Sequence, residues 1–357
     1  MEAEARDKPT RAWLDANLRM NDILTIGTHN SYHLAASPPI MEVIRRWSEK
    51  AAEGLDYTHP SLSEQLDDGA RALELDIFYD PEGGRYARPS GLALIKQPVP
   101  DEYVRAMSAP GMKVLHVQDI DFRSTVHTYV QGLQEIRAWS LAHPDHTPIL
   151  LTMNTSDGPT RTKNGVDGLA FDEAAYDALD AEIASVFPAG SVITPDVVRG
   201  AHATLREGVL AGGWPLLGDA RGKILIAVDE YGRKRDAYRR GRRSLEGCMC
   251  FVNSDDDGPD NAFYVLNEYA DVPAIAERVR QGFLVRTRSD AETIEARAND
   301  TRRRDAALAS GAQYVSTDYR RPDRRFSDYQ VRLAGDAAAV VNPLRAPPGL
   351  AGAPIEI

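Results

Sequence analysis

The chain has 357 residues, with 53 acidic against 42 basic side chains and a formal net charge of −11. This length suits one large domain or two modest ones, and 43% hydrophobic residues argue against a disordered chain. The acidic balance argues against duplex nucleic acid as a partner and against broad electrostatic adhesion to an anionic membrane.

Short apolar or β-branched runs alternate with longer amphipathic stretches, which is the pattern of repeated βα units. In chain order, the predicted strands are Ile23–Ile26, Ala72–Phe78, Lys113–Val117, Pro148–Met153, Lys223–Val228, Ala262–Leu266, Phe283–Thr287 and Gln313–Ser316. The predicted helices include Leu62–Gly69, Val126–Ala142, Asp172–Val186 and Ala291–Ser310. Eight strands with helical crossovers predict an α/β fold, a single closed (β/α)8 or TIM barrel.

The ends of the chain are predicted to lie outside the barrel. We place an N-terminal arm at residues 1–20, the barrel at 21–326 and a C-terminal extension at 327–357. The extension is rich in Pro, Gly and Ala, which predicts a surface wrap or a frayed end. Cys248 and Cys250 are two residues apart, a spacing that disfavours both a disulfide and a zinc site.

Polar side chains stand at the carboxyl ends of several predicted strands, where barrel enzymes carry their catalytic residues. Glu74 and Asp76 are two apart on one strand and therefore face the same side. Their charges repel unless a hard cation lies between them, and Ca²⁺ binds carboxylate and amide oxygens. Asn30 and Asn154 stand at neighbouring strand ends and can supply such amides. We expect a site for a hard divalent cation, Ca²⁺ or Mg²⁺. Pairing of a carboxylate with an interior arginine is the alternative.

Two histidines complete this predicted site. His29 and His116 follow or end the strands on either side of the carboxylate strand. In phosphodiester cleavage, one imidazole takes a proton from the attacking hydroxyl and the other gives one to the leaving alkoxide, while a metal neutralises the phosphoryl oxygens. We therefore predict that His29 and His116 are catalytic.

Further side chains are candidates for substrate binding. Basic residues that can meet a phosphate are Arg88, Lys96, Arg286 and Arg288. Arg286 and Arg288 are two apart on one face of a strand, and we expect one of them at the pocket mouth, with pairing to a carboxylate inside the barrel as the alternative. Of the two, Arg286 is the candidate for substrate binding. Tyr269 and Tyr319 are predicted to wall a pocket of sugar or cyclitol size.

Six runs of the sequence carry a resemblance to a known family. They are LTIGTHNSYH, RALELDIFYDPEGGRYARPSGL, KVLHVQDIDFRST, PILLTMNTSDG, RGKILIAVD and LVRTRSDAETIEARANDTRRRDAALASGAQYVSTDY. In this order they resemble the Ca²⁺-dependent phosphoinositide-specific phospholipase C-like proteins of bacteria and fungi, which are PLC-like phosphodiesterase barrels. The resemblance extends roughly from Asn21 to Asp318.

The resemblance implies a distorted TIM barrel that cleaves phosphatidylinositol between the diacylglycerol oxygen and phosphorus. The inositol 2-hydroxyl attacks phosphorus and gives a cyclic inositol phosphate. The family's functional residues fall here on His29 and His116 as the catalytic pair, on Asn30, Glu74 and Asp76 as calcium ligands, and on Asn154 where a fourth ligand is commonly Glu. An amide in that place removes one negative charge and weakens affinity for a hard cation.

Two alternatives stay open beside a calcium-dependent inositol phosphodiesterase. A glycerophosphodiester phosphodiesterase shares the barrel, the acidic pair and two histidines, but it typically opens with an H-R-G…E-N-T pattern where this chain has G-T-H-N-S. A non-catalytic barrel that binds an inositol phosphate is the other, because Asn154 replaces the usual acidic ligand.

The remaining expectations concern partners and location. No run approaches the ~18 consecutive apolar residues of a transmembrane helix, so membrane contact would be peripheral and made by local apolar residues. The expected partner is a phosphoinositide or another phosphodiester, with no nucleic acid. We expect a monomer that is secreted or periplasmic, although the first residues lack the apolar stretch of a signal peptide.

Overall fold

The computed structural model of the chain describes residues 9–255, 257–268 and 271–357. Its strands are β1 Ile23–Thr28, β2 Ala72–Phe78, β3 Lys113–Val114, β4 Ile149–Thr155, β5 Val192–Ile193, β6 Ile224–Val228, β7 Phe251–Val252, β8 Phe263–Val265, β9 Leu284–Arg288, β10 Tyr314–Thr317, β11 Ala339–Val341 and β12 Pro354–Glu356. Its α-helices are, in the first half of the chain, α1 Arg11–Asn17, α2 Pro38–Trp47, α3 Glu49–Gly54, α4 Leu62–Asp67, α5 Ser90–Leu94, α6 Asp101–Met107, α7 Tyr129–Ala142 and α8 Glu173–Val186. They continue with α9 Pro195–Arg199, α10 Leu205–Leu210, α11 Leu217–Ala220, α12 Gly232–Arg239, α13 Val272–Gln281, α14 Ile294–Ala298 and α15 Arg302–Ala309.

Eight parallel strands follow one another around a barrel in the order β1, β2, β4, β6, β7, β8, β9 and β10. Parallel ladders join β2 to β4, β4 to β6, β6 to β7, β8 to β9, β9 to β10 and β10 to β1. The seam between β7 and β8 is a parallel bridge from Asn253 to Phe263. At the seam between β1 and β2, the Arg71 N–H donates to the Ile26 carbonyl at 2.8 Å. The predicted α/β barrel is confirmed, in a distorted form with two loosely joined seams.

The seam between β1 and β2 depends on a glycine. A Cβ placed on Gly27 would lie 2.3 Å from the Cβ of Ala72, far inside van der Waals contact. Antiparallel β11 covers the first half of β1 from Ile23 to Thr25, so the second half of β1 faces β2. The close approach at Gly27 therefore brings the ends of the first two barrel strands together, where two of the predicted site segments lie.

Three predicted elements differ from the structure. The predicted strand Lys113–Val117 is the two-residue β3, which pairs antiparallel to β2 outside the ring, and β7 takes the remaining ring position. The predicted helix Ala291–Ser310 is divided into α14 and α15, because Asn299 adopts a left-handed conformation with φ 50°. The tail forms β11 and β12, and Glu356 pairs with Arg71 at the amino end of the barrel.

Successive side chains of β2 point alternately to the hydrophobic core and to the interior of the barrel. Leu73, Leu75 and Ile77 are buried in the main hydrophobic cluster, and Leu75 lies against Gly132 of α7. Glu74 and Asp76 alternate with them and point into the barrel. Cys248 and Cys250 are free, buried thiols. Among the described helices, none is long and apolar enough to cross a membrane.

Candidate active site

A cavity of about 440 Å³ opens at the carboxyl end of the barrel strands. Its walls come from helix α3 and from the ends of β1, β3, β4, β9 and β10 with the loops that follow them. Its lining includes His29, Asn30, Ser48, Lys50, Tyr57, His116, Arg161, Arg288 and Asp318. The two predicted catalytic histidines therefore share one cavity, although they are 87 positions apart in the printed sequence (116 − 29).

The carboxylates of Glu74 and Asp76 lie beneath this cavity beside Asn154. Strands β2 and β4 pair in register with Asp76 opposite Asn154. The Asn154 Nδ2 donates to Glu74 Oε1 at 2.9 Å and to Asp76 Oδ1 at 3.2 Å. Burial raises the pKa of Asp76 to about 6. Burial is the largest single influence on Glu74 and acts to raise its pKa, but the charges of Arg286, His29 and Arg288 together hold that pKa below its usual range.

Arg286 occupies the barrel interior rather than the pocket mouth. Its guanidinium pairs with Glu74 Oε2, and it donates through Nε to Ser316 Oγ at 2.9 Å and through Nη1 to Asn267 Oδ1 at 3.0 Å. The side chain is 2% exposed. For Glu74, the structure thus shows the alternative raised from the sequence, a carboxylate paired with an interior arginine.

His29 is held by the carboxylate that follows β10. Its Nδ1 lies 2.9 Å from Asp318 Oδ1, and its Nε2 lies 3.2 Å from Arg288 Nη1. Arg288 also donates to Asp318 Oδ2 at 3.0 Å, and His59 donates to the His29 carbonyl at 2.9 Å. Burial and the Arg288 charge lower the pKa of His29. Burial opposes ionisation of Asp318, but the charges of His29 and Arg288 hold its pKa well below its usual range.

His116 is held by a second buried carboxylate. Its Nδ1 lies 2.8 Å from Asp121 Oδ2, and the same oxygen lies 2.9 Å from Nε2 of His33. The other ring nitrogen of His33 contacts the Tyr57 carbonyl at 3.1 Å. Burial alone lowers the pKa of His116, but the hydrogen bond and charge of Asp121, with the charge of Asp76, outweigh it and raise that pKa to about 9.

His33, His116 and Asp121 also form a cluster whose ligand atoms lie within 4.8 Å of one another. Two imidazoles and one carboxylate suit zinc better than calcium, which prefers oxygen ligands. The Asp121 carboxylate and the ring nitrogens turned toward it are engaged in hydrogen bonds with one another. The cluster is therefore best explained as the support that orients the His116 ring.

The residues that the resemblance assigns to calcium fit that ion in chemistry. Asn30 has a left-handed backbone (φ 44°), and its Nδ2 donates to the Tyr57 hydroxyl at 3.0 Å. Its Oδ1 is buried and has no hydrogen-bond partner among the described residues. That orphaned amide oxygen and the Glu74 and Asp76 carboxylates are hard oxygen donors of the kind Ca²⁺ takes. A half-turn of the Asn154 amide exchanges its Nδ2 for Oδ1 and would add a fourth oxygen.

The other predicted substrate-binding residues lie elsewhere. Arg88 and Lys96 are exposed in the segment between β2 and β3, outside the lining of this cavity as the described residues define it. Tyr319 is buried, with its ring 5.9 Å from that of Tyr329 and nearly perpendicular to it, and it borders a neighbouring cavity. Tyr269 lies outside the described residues.

Sequence reasoning gives no role to several residues that the structure brings to the site. Asp318 follows β10 directly and belongs to the same strand-end pattern as His29, but the pattern does not show that it would hold the histidine. Asp121, Tyr57 and Arg161 lie in loops or irregular segments. Nothing in their local sequence marks them, because only the folding of those loops over the barrel rim brings them to the histidines.

The fold is a TIM barrel, and its strand ends bring histidines, carboxylates and amides together in and beneath one cavity, the place where barrel enzymes carry their active sites. The family model for Ca²⁺-dependent phosphoinositide phospholipase C matches residues 18–343. The chain therefore belongs to this Ca²⁺-dependent family.

Solved structures show the same fold at low sequence identity. A Ca²⁺-dependent phosphatidylinositol-specific phospholipase C from Streptomyces antibioticus is 19% identical with a TM-score of 0.54, over 84% of this chain and 95% of that one. A calcium-dependent phosphoinositol-specific phospholipase C from Pseudomonas sp. is 17% identical with a TM-score of 0.55, over 91% and 96% of the two chains. The same Pseudomonas enzyme in a myoinositol complex matches with a TM-score of 0.54. No curated protein gives a significant match.

Proposed function

We propose that this chain is a calcium-dependent phosphodiesterase that cleaves phosphatidylinositol, or a related inositol phosphodiester, by attack of the inositol 2-hydroxyl on phosphorus. One observation carries the proposal. His29 and His116 line the same cavity, and each has its Nδ1 on a buried carboxylate, Asp318 or Asp121. This arrangement turns each Nε2 toward the reaction and fixes the orientation of each ring.

The two histidines divide the proton transfers. As the 2-hydroxyl oxygen forms its bond to phosphorus, His29 takes the hydroxyl proton and Arg288, beside its Nε2, faces the charge on the phosphoryl oxygens. As the bond from phosphorus to the glycerol oxygen breaks, His116 gives its proton to that alkoxide. The products are a cyclic inositol phosphate and diacylglycerol.

Asn30, Glu74 and Asp76, with Asn154 after its amide turns, are the residues that would hold calcium in this mechanism. When bound, the ion would supply positive charge that stabilises the phosphoryl oxygens and favours loss of the proton from the attacking hydroxyl. The myo-inositol bound by the Pseudomonas relative supports an inositol headgroup as the part of the substrate that enters the cavity.

Peripheral contact with a lipid surface belongs to the same proposal. Trp47 ends α2 with 54% of its surface exposed, and the neighbouring Ser48 and Lys50 line the cavity. An exposed indole at the mouth of a lipid-cleaving site suits the interface between headgroups and acyl chains. Trp47→Ala is expected to weaken sedimentation with phosphatidylinositol vesicles, whereas Trp13→Ala, on α1 at the amino end of the barrel, is expected to leave it unchanged. Equal vesicle binding by both variants would contradict this contact.

The central experiment is phosphatidylinositol cleavage followed by phosphorus NMR, with millimolar calcium and then with excess chelator. Cyclic inositol phosphate that forms only with calcium supports the proposal. Turnover that continues at the same rate in excess chelator would show that the reaction does not require calcium. A parallel assay on glycerophosphocholine identifies the glycerophosphodiesterase alternative, and absence of any product under every condition favours an inositol-phosphate-binding barrel.

A further inference from the structure

The predicted calcium site already contains a positive charge from the chain itself. Arg286 and Glu74 are both almost completely buried, at 2% and 4% side-chain exposure, and the guanidinium pairs with Glu74 Oε2. Ser316 and Asn267 hold two further nitrogens of the guanidinium at 2.9 and 3.0 Å. Arg286 on β9 is thus held by three partners, and these contacts direct its guanidinium at Glu74 on β2.

Asn154 also donates to the acidic pair that Arg286 neutralises. Its Nδ2 bonds Glu74 Oε1 and Asp76 Oδ1, so each Glu74 oxygen already has a donor from the chain. The place where the family pattern commonly has a fourth, acidic ligand therefore holds a donor group instead. Fewer carboxylates and an adjacent fixed cation both lower the affinity of an oxygen site for Ca²⁺.

We propose that Arg286 is a built-in counter-ion that competes with calcium for Glu74, so that this chain binds calcium weakly and only when the guanidinium moves away. The inference rests on the calcium site of the proposed function and concerns what sets its affinity. It assigns Arg286 a positioning role toward the acidic pair in place of the substrate contact expected from its strand position.

The test is calorimetric titration of the full chain with calcium chloride, without substrate. Arg286→Gln removes the charge and retains amide groups for Ser316 and Asn267; Arg286→Lys keeps the charge and is the matched control. Wild type is expected to bind with a dissociation constant weaker than about 10⁻⁴ M, the range of low-affinity calcium modules. Arg286→Gln is expected to bind at least tenfold more tightly than wild type, and Arg286→Lys within about threefold of it.

Either of two results overturns the proposal: wild-type binding tighter than about 10⁻⁴ M, or Arg286→Gln binding no tighter than wild type. Thermal unfolding of both variants checks that they are folded. Should Arg286→Gln not fold, Arg286→Met, which also removes the charge and keeps a long unbranched side chain, takes its place in the same titration with the same expected result. Because the titration contains no lipid, its outcome is independent of phosphatidylinositol cleavage, so failure of the affinity argument and failure of the proposed reaction are separate results.

Discussion

Asp121 offers the sharpest test of how the site works. Its carboxylate accepts hydrogen bonds from His116 Nδ1 at 2.8 Å and from His33 Nε2 at 2.9 Å, and its side chain is fully buried. In Asp121→Asn, the side chain keeps its size but loses its charge and can accept through one oxygen only. We expect the substitution to lower the pKa of His116, because burial, which acts to lower it, then meets less opposition.

The size of this change can be estimated from the contacts. A hydrogen bond to a charged partner is worth about 1.5–3 kcal/mol, and one pKa unit corresponds to about 1.36 kcal/mol. This gives a fall of about 1–2 units in the pKa of His116. The imidazole side chain is 27% exposed, and solvent screening therefore favours the lower half of that range.

The assay is the pH dependence of kcat/KM for phosphatidylinositol at one fixed calcium concentration. His116 must be protonated to act as the acid, so activity is lost as pH rises through its pKa, which lies at about 9 in the wild type. The alkaline limb of Asp121→Asn is expected at a pH lower by about 1–1.5 units. Bound calcium would shift the pKa of His116 in both proteins, so its effect largely cancels when the two pH profiles are compared.

Asp119 provides the control, since it is buried two residues away and bonds Ser90, Thr160 and Val166 rather than a histidine. Asp119→Asn is expected to leave the alkaline limb in place, whatever its effect on stability. A folded Asp121→Asn protein whose alkaline limb coincides with that of wild type would refute the assignment of Asp121 as the group that controls the charge of His116.

The other predictions concern the two histidines, the half-buried carboxylate of Glu182 and the glycine Gly27. His29→Ala and His116→Ala are each expected to lower kcat/KM by at least about 10²-fold with the thermal unfolding temperature nearly unchanged, and wild-type turnover in either would exclude the two-histidine mechanism. Burial raises the pKa of Glu182 to about 7, so stability falls as pH rises from about 4.5 to about 7. In urea unfolding at pH 8, the free energy of unfolding of Glu182→Gln should exceed that of wild type by about 1–2 kcal/mol, and the two should be equal near pH 4. The same difference at both pH values would contradict the raised pKa of Glu182 as its cause. Gly27→Ala is expected to cost at least about 3 kcal/mol in urea unfolding, whereas Gly158→Ala, in open space, should cost little; equal costs would dismiss the close approach of β1 and β2.

Local sequence was sufficient for most of the barrel. Buried parallel strands are short apolar runs, and this pattern located seven of the eight ring strands to within about two residues. The two-residue strand β7, Phe251–Val252, is not among the predicted strands. The third predicted strand was wrong as a ring member because Lys113–Val117 has the composition of a strand, while its pairing direction depends on the turn that precedes it. Asn299 likewise interrupts a helical pattern by its backbone conformation, which hydrophobic spacing does not record.

The sequence by itself determined which chemical groups stand at the strand ends. The two-residue spacing of Glu74 and Asp76 requires them to share a face, because side chains alternate along a strand. Only the tertiary structure decided what neutralises those groups. Arg286 follows Glu74 by 212 positions, and whether it faces the cavity or the carboxylate depends on how β9 and β2 lie across the barrel from each other. The same holds for Asp121 and His116, since loop folding over the rim, rather than any local pattern, brings that carboxylate against the ring.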